Sequence, residues 1–175
     1  TETAPFFEKY GKGLACEGKF PGYWYTTSDS IHVQLTCYHG ENRPFDAIAV
    51  SRYPLECGCG PKQIRMPLVV VEEGHVWSTK CGPEPKVPFP QLATEQGLKL
   101  GDSYADAVAL YGEPEWIART PEEIASCLPR NWRQEDHGPL SVVDYWANDE
   151  ELFKILRIIF ENDVAILISL EWPFS

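Results

Sequence analysis

Basic residues are scarce in this chain. Of its 175 residues, 15 are lysine or arginine and 26 are aspartate or glutamate, giving a formal net charge of -11. The basic residues form no cluster, and binding to a nucleic-acid backbone requires a concentrated positive field. The composition therefore argues against a nucleic-acid partner.

Long apolar runs are also absent. No stretch approaches the roughly 18 apolar residues that a membrane-spanning helix requires, so we expect no membrane span. The chain begins at Thr1 without a methionine or a signal-like apolar core, and we expect a mature or trimmed form. Hydrophobic residues make up 43% of the chain and charged residues 23%, which is ordinary for a folded globular domain.

Cysteine is abundant for a chain of this size. An even number, together with many Trp, Pro and Gly residues, favours an exported, disulfide-stabilised protein that is secreted or periplasmic. We expect different partners for Cys57 and Cys59, because a single glycine separates them. Cys127 is either bonded or a buried free thiol. The six cysteines are Cys16, Cys37, Cys57, Cys59, Cys81 and Cys127.

A zinc site is the alternative use of these cysteines. Cys57, Cys59 and Cys81 with His39 or His75 would supply three thiolates and one imidazole. The usual C-x2-C spacing is absent, however, and no second cysteine pair balances the set. We therefore predict no metal and no cofactor.

The strands are predicted from alternating apolar and polar residues. Ile31, Val33 and Leu35 alternate with polar neighbours, as in a half-buried strand. Similar patterns predict strands over 47–53, 142–146, 153–160 and 164–172, and a hairpin over 69–77. The pair Asn162-Asp163 suits a two-residue turn, because both residue types tolerate positive φ.

Two short helices carry clear start signals. Ser103 is a candidate N-cap with Asp106 three residues later, and Gly112 and Pro114 end that helix. Thr120 begins a second capping box, followed by proline at the first helical position.

We predict an α+β fold in which hairpins form antiparallel sheet and one or two short helices pack on one face. The predicted organisation is a strand-rich half over 1–81, a proline-rich connection over 82–96 and a helix-plus-sheet half over 97–175, or one compact domain. Residues 82–90 contain four prolines and cannot form regular structure.

The two halves contain a short internal sequence similarity. Its matched positions indicate either duplicated units or two hairpins that converged on similar residues. They are Ala47, Ile48 and Ser51 in the first half, and Ala165, Ile166 and Ser169 in the second.

Gly101-Asp102-Ser103 is the one candidate for catalysis. It resembles the nucleophile block of the GDSL-type esterases, which implies a serine activated by a histidine and an acid. The histidine that follows Ser103 in the chain is His137, and Gln134 stands where that family has an aspartate. A secreted serine esterase using Ser103 and His137 is therefore the alternative to a structural helix cap.

Residues 101–114 also form the pattern G-x-S-x-x-x-x-V-x-L-Y-G-x-P. This pattern resembles the helix element of the beta-lactamase-inhibitor-protein-like fold, which also occurs in small outer-membrane-assembly lipoproteins. The resemblance extends over residues 97–172. It implies an extracytoplasmic protein-binding or envelope-scaffold role without catalysis, and it assigns no specific binding residues.

Paired aromatic residues are the candidate binding site. Tyr23-Trp24 and Tyr145-Trp146 lie in predicted strands, where neighbouring side chains point to opposite faces. Exposed Tyr and Trp are favoured interface anchors, because they bury a large area with few rotatable bonds. We predict a non-enzymatic binding module that recognises another protein or an envelope component, with its oligomeric state left open.

Overall fold

A computed structural model describes residues 3–16, 22–36, 45–55, 69–72, 75–78, 82–90, 92–129, 132–149 and 152–171. Its helices are α1 (Thr3–Tyr10), α2 (Tyr104–Tyr111) and α3 (Pro121–Cys127). Its strands are β1 (Leu14–Cys16), β2 (Gly22–Thr26), β3 (His32–Thr36), β4 (Ala47–Ser51), β5 (Val69–Glu72), β6 (His75–Ser78), β7 (Trp116–Ile117), β8 (Leu140–Asp149), β9 (Leu152–Glu161) and β10 (Val164–Glu171).

Eight of these strands form one antiparallel sheet in the order β1-β2-β3-β4-β10-β9-β8-β7. Strands β5 and β6 pair separately. The predicted α+β class with antiparallel sheet is thus confirmed. Asn162 and Asp163, with φ of 50° and 68°, form the predicted turn between β9 and β10.

The two halves of the chain meet in the middle of this sheet, where β4 pairs with β10. Val50 lies opposite Ile168, Ser51 opposite Leu167 and Ser169 opposite Ala49. Ser51 thus faces the residue two places before Ser169, and Ser169 faces the residue two places before Ser51. A local two-fold axis that relates β4 to β10 would produce this register. The residues that are similar between the two halves lie in these two strands.

The Tyr-Trp pairs do not follow that two-fold relation. The two tyrosines instead lie at the ends of one row that runs across six strands, whereas Trp24 lies in the row of Asp144 and Trp146 in the row of Gly22. Tyr23 and Tyr145 end one row, which runs Tyr23, Leu35, Ile48, Leu170, Leu156, Tyr145.

The helices cover both faces of the sheet. Phe6 and Phe7 of α1 pack against Tyr23 and its neighbours on one face, which we call the α1/α2 face. Helix α2 covers the same face further along, where Ala107 contacts the cluster of Val143, Ile158 and Phe160. Helix α3 covers the opposite face, because its apolar residues pack on the alternate positions Val142, Ile159 and Leu167. We call that side the α3 face.

The proline-rich segment is held closely against the first half. The amide of Thr26 donates to the carbonyl of Pro83 at 3.2 Å, and the amide of Lys86 donates to the carbonyl of Tyr10 at 2.9 Å. Gly82 has φ of +93°, and a Cβ there would lie 1.8 Å from the carbonyl oxygen of Trp24. Only glycine therefore fits at this point of contact.

Candidate binding surface

The four predicted aromatic residues lie in different surroundings. Tyr23 and Tyr145 point to the α1/α2 face and are buried, with 0% and 6% of their surface exposed. Trp24 and Trp146 point to the α3 face. Trp24 is 4% exposed, whereas Trp146 is 48% exposed.

The sheet does not bring the two tryptophans together. They lie on β2 and β8, five strand spacings apart, or about 24 Å. The ring of Trp24 lies over Gly22, where a Cβ would come within 2.6 Å of its Cη2 atom. The missing side chain at Gly22 therefore makes room for the buried ring.

Trp146 is the centre of the remaining exposed aromatic surface. Its backbone amide donates to Oε2 of Glu115 at 3.0 Å, which fixes that carboxylate beside β8. Its cross-strand partner is Ile155, and Glu171 follows Ile155 in the same row. Both partners are half-buried.

Arg157 lies next to this row. It faces Asp144 across β8 and β9, and its Nε and Nη2 atoms each donate to one carboxylate oxygen at 2.8 Å. The Asp144 side chain is 7% exposed and that of Arg157 is 30% exposed. The hydrogen bonds that Arg157 donates to Asp144 raise the pKa of Arg157, and the charges of Asp144 and Glu171 add to that effect against burial, which lowers it.

We call Trp146, Ile155, Arg157, Glu171 and Glu115 the Trp146 surface. Arg157 and its partner Asp144 were not found from the sequence. The signal, two opposite charges thirteen residues apart on adjacent strands, becomes meaningful only once the strand register is known.

Ser103 is the N-cap of α2. Its Oγ accepts the amide of Asp106 at 3.1 Å and donates to Oδ2 of Asp106 at 2.7 Å, and the amide of Ser103 donates to the same carboxylate. The two hydrogen bonds that the carboxylate accepts from Ser103 lower the pKa of Asp106. No hydrogen bond within the described ranges joins Ser103 to His137.

His137 belongs to a separate buried cluster. Its ring lies 5.1 Å from that of Trp132 and 4.9 Å from that of Tyr53. Its Nδ1 lies 3.4 Å from Oε1 of Glu161, within ion-pair distance when the ring is protonated but not aligned as a hydrogen bond. Glu161 also accepts the Tyr53 hydroxyl and the Gly138 amide, each at 2.7 Å.

Cys127 carries a free thiol that is half-buried. Cys37, Cys57, Cys59 and Cys81 lie outside the described residues, as does the side chain of Cys16. The predicted disulfides and the alternative zinc site therefore stay predictions. In the part of the chain that the structure describes, no three His, Cys, Asp or Glu side chains are grouped to hold a metal.

A groove of about 780 Å³ opens on another part of the molecule, between the β2–β3 turn and the proline-rich segment. Two acidic side chains, Asp29 and Glu84, and two basic ones, Lys86 and Lys99, line it. This balanced lining favours no particular ligand charge. In the described ranges, no helix has the length and apolar character needed to cross a membrane.

No protein-family model, curated protein or solved structure matches the chain.

Proposed function

We propose that this protein is a non-enzymatic, exported binding module that engages another protein or an envelope component through the Trp146 surface. One observation carries the proposal: Trp146 leaves 48% of its surface in solvent, on a strand of the central sheet. Tryptophan and arginine are the residue types that most often dominate the energy of protein interfaces.

The surface is held in place before any partner arrives. Trp146 lies on a strand that pairs with β9 over ten residue pairs, and Arg157 is fixed by two hydrogen bonds to Asp144. Fixed side chains lose less conformational entropy on binding than mobile ones, so more of the contact energy appears as affinity.

The three buried aromatic residues support this surface in the proposal. Tyr145 precedes Trp146 and packs against Tyr111 of α2, with ring centroids 5.2 Å apart. It thereby anchors β8 to the helix. At the far end of the same sheet, Tyr23 packs on the α1/α2 face and Trp24 is buried on the α3 face.

Export is supported by the cysteine content and by the resemblance of residues 97–172 to envelope modules. Because Cys127 is free, five cysteines remain, which allows at most two bridges within one chain. The antiparallel strands that follow α2 agree with the order of elements that this resemblance implies.

Affinity capture with matched variants tests the proposal. The immobilised chain, its Trp146→Ala variant and its Leu110→Ala variant would each be exposed to an envelope extract, and captured proteins would then be purified and titrated directly. Leu110 is a suitable control, because it is an exposed apolar residue on α2 at 39%. We expect at least one protein to bind the parent chain and Leu110→Ala equally, and Trp146→Ala at least 10-fold more weakly. Equal affinity for all three chains would refute the proposed surface.

A further inference from the structure

The acidic charge is concentrated in one half of the chain. Residues 97–175 contain 15 acidic and 6 basic side chains, a formal charge of -9. Residues 1–96 contain 11 acidic and 9 basic side chains, a charge of -2. The Trp146 surface belongs entirely to the acidic half.

Carboxylates lie on both sides of Trp146 in the sheet. Glu115 is fixed through the Trp146 amide, and Glu171 lies beyond Ile155 in the same row of the sheet.

Among the described residues of this surface, basic side chains do not offset the negative field. In the described part of this surface the cation is Arg157, and Asp144 pairs with its Nε and Nη2 atoms. Lys154 lies opposite Ala147, an alternate position that points to the other face of the sheet. The exposed ring therefore lies in surroundings that attract positive charge.

Resting on the proposed function, we infer that the partner is a protein that presents a basic segment to the Trp146 surface. An arginine or lysine of that segment stacks on the Trp146 ring, and its basic neighbours pair with Glu115 and Glu171. Tryptophan is the best aromatic partner for a cation, and arginine can stack on a ring and pair with a carboxylate at the same time. A partner with an acidic surface would be repelled by the same half of the chain.

Charge complementarity also predicts how association proceeds. A concentrated field accelerates the encounter with an oppositely charged partner, and added salt screens that field. We therefore expect the association rate to fall as the salt concentration rises. The contribution of the Trp146 ring to the binding free energy should persist, because it acts at contact distance.

The test uses a fluorescent 12-residue peptide of alternating arginine and serine, and a matched peptide with glutamate in place of arginine. Binding to the full chain would be followed by fluorescence anisotropy at low salt. We expect the basic peptide to bind and the acidic one not to bind. Trp146→Ala, which changes no charge, and the double variant Glu115→Gln/Glu171→Gln should each weaken binding at least 5-fold.

The double variant Glu135→Gln/Asp136→Asn is the matched control. It removes two exposed charges that precede Leu140, the first residue of β8. Leu140 lies six residues along the strand from Trp146, or roughly 20 Å. Binding should change less than 2-fold, and circular dichroism would confirm that each variant is folded.

Unspecific attraction to an acidic protein would overturn the inference. In that case both double variants weaken binding equally and Trp146→Ala has no effect. If the basic peptide fails to bind but Trp146→Ala still loses the captured protein, the basic partner is wrong and the proposed surface stands. If Trp146→Ala alters neither measurement, the surface itself is wrong.

Discussion

At the residue scale, the single carboxylate of Glu161 contributes to the stability of the fold through several contacts. Its two oxygens accept the Tyr53 hydroxyl and the Gly138 amide, and the His137 ring lies beside it. Of these, the hydrogen bond from Tyr53 does most to lower the pKa of Glu161 below its usual value of 4.5. The same hydrogen bond raises the pKa of Tyr53, since it favours the protonated phenol.

Glu161→Gln should therefore destabilise the protein in a pH-dependent way. A carboxyl with a lowered folded-state pKa stabilises the fold above its unfolded value near 4.5, and that stability is lost as pH falls through the lowered value. We expect a loss of about 1.5–3 kcal/mol in the free energy of unfolding at pH 7. The difference from the parent chain should shrink steadily below about pH 4.5.

Urea unfolding at a series of pH values measures this effect. Glu135→Gln, an exposed carboxylate nearby in the chain, should change the free energy of unfolding by less than about 0.5 kcal/mol. A Glu161→Gln deficit that stays constant from pH 7 to pH 3 would contradict the assigned role.

At the scale of single elements, the start of α2 separates a helix cap from a catalytic serine. Ser103→Ala removes the oxygen that accepts the Asp106 amide, and N-cap serines of this kind contribute about 1 kcal/mol. We expect that loss in thermal unfolding, and we expect no labelling of the parent chain by a fluorophosphonate probe. Ser103→Thr keeps the hydroxyl and should retain most of the stability. Labelling that disappears in Ser103→Ala would instead establish the esterase alternative.

Elements with local signals could be predicted from the sequence, and elements defined by distant pairing could not. Helices α2 and α3 carry their caps within a few residues, and the turn at Asn162 depends on two neighbouring residues. Strand β7 is two residues long and exists because it pairs with β8. The exposure of Trp146 and the pairing of Arg157 with Asp144 likewise depend on a strand register that alternation alone does not define.

At the scale of the whole molecule, the seam between β4 and β10 couples the two halves. Ile168 lies opposite Val50 at its centre and is 8% exposed. Ile168→Ala should lower the free energy of unfolding by about 2–5 kcal/mol, because it leaves a cavity in the core. Unfolding should remain a single transition, since one continuous sheet contains strands from both halves.

Far-UV circular dichroism and tryptophan fluorescence together check this prediction. Leu110→Ala is the matched control, because it shortens an exposed aliphatic side chain and should cost little. Two separate transitions in the Ile168→Ala variant would show that the halves unfold independently.

The contact between Glu115 and the Trp146 amide has a consequence for the protein at high concentration. Strand β7 pairs with only two residues of the ten-residue strand β8, so an incoming chain could extend the sheet along the rest of β8. Exposed strand edges of this kind promote self-association into fibres. The Glu115 carboxylate already occupies an amide that such a chain would need, and it brings a negative charge that repels a second copy. One side chain thus opposes the addition of another strand at this part of β8.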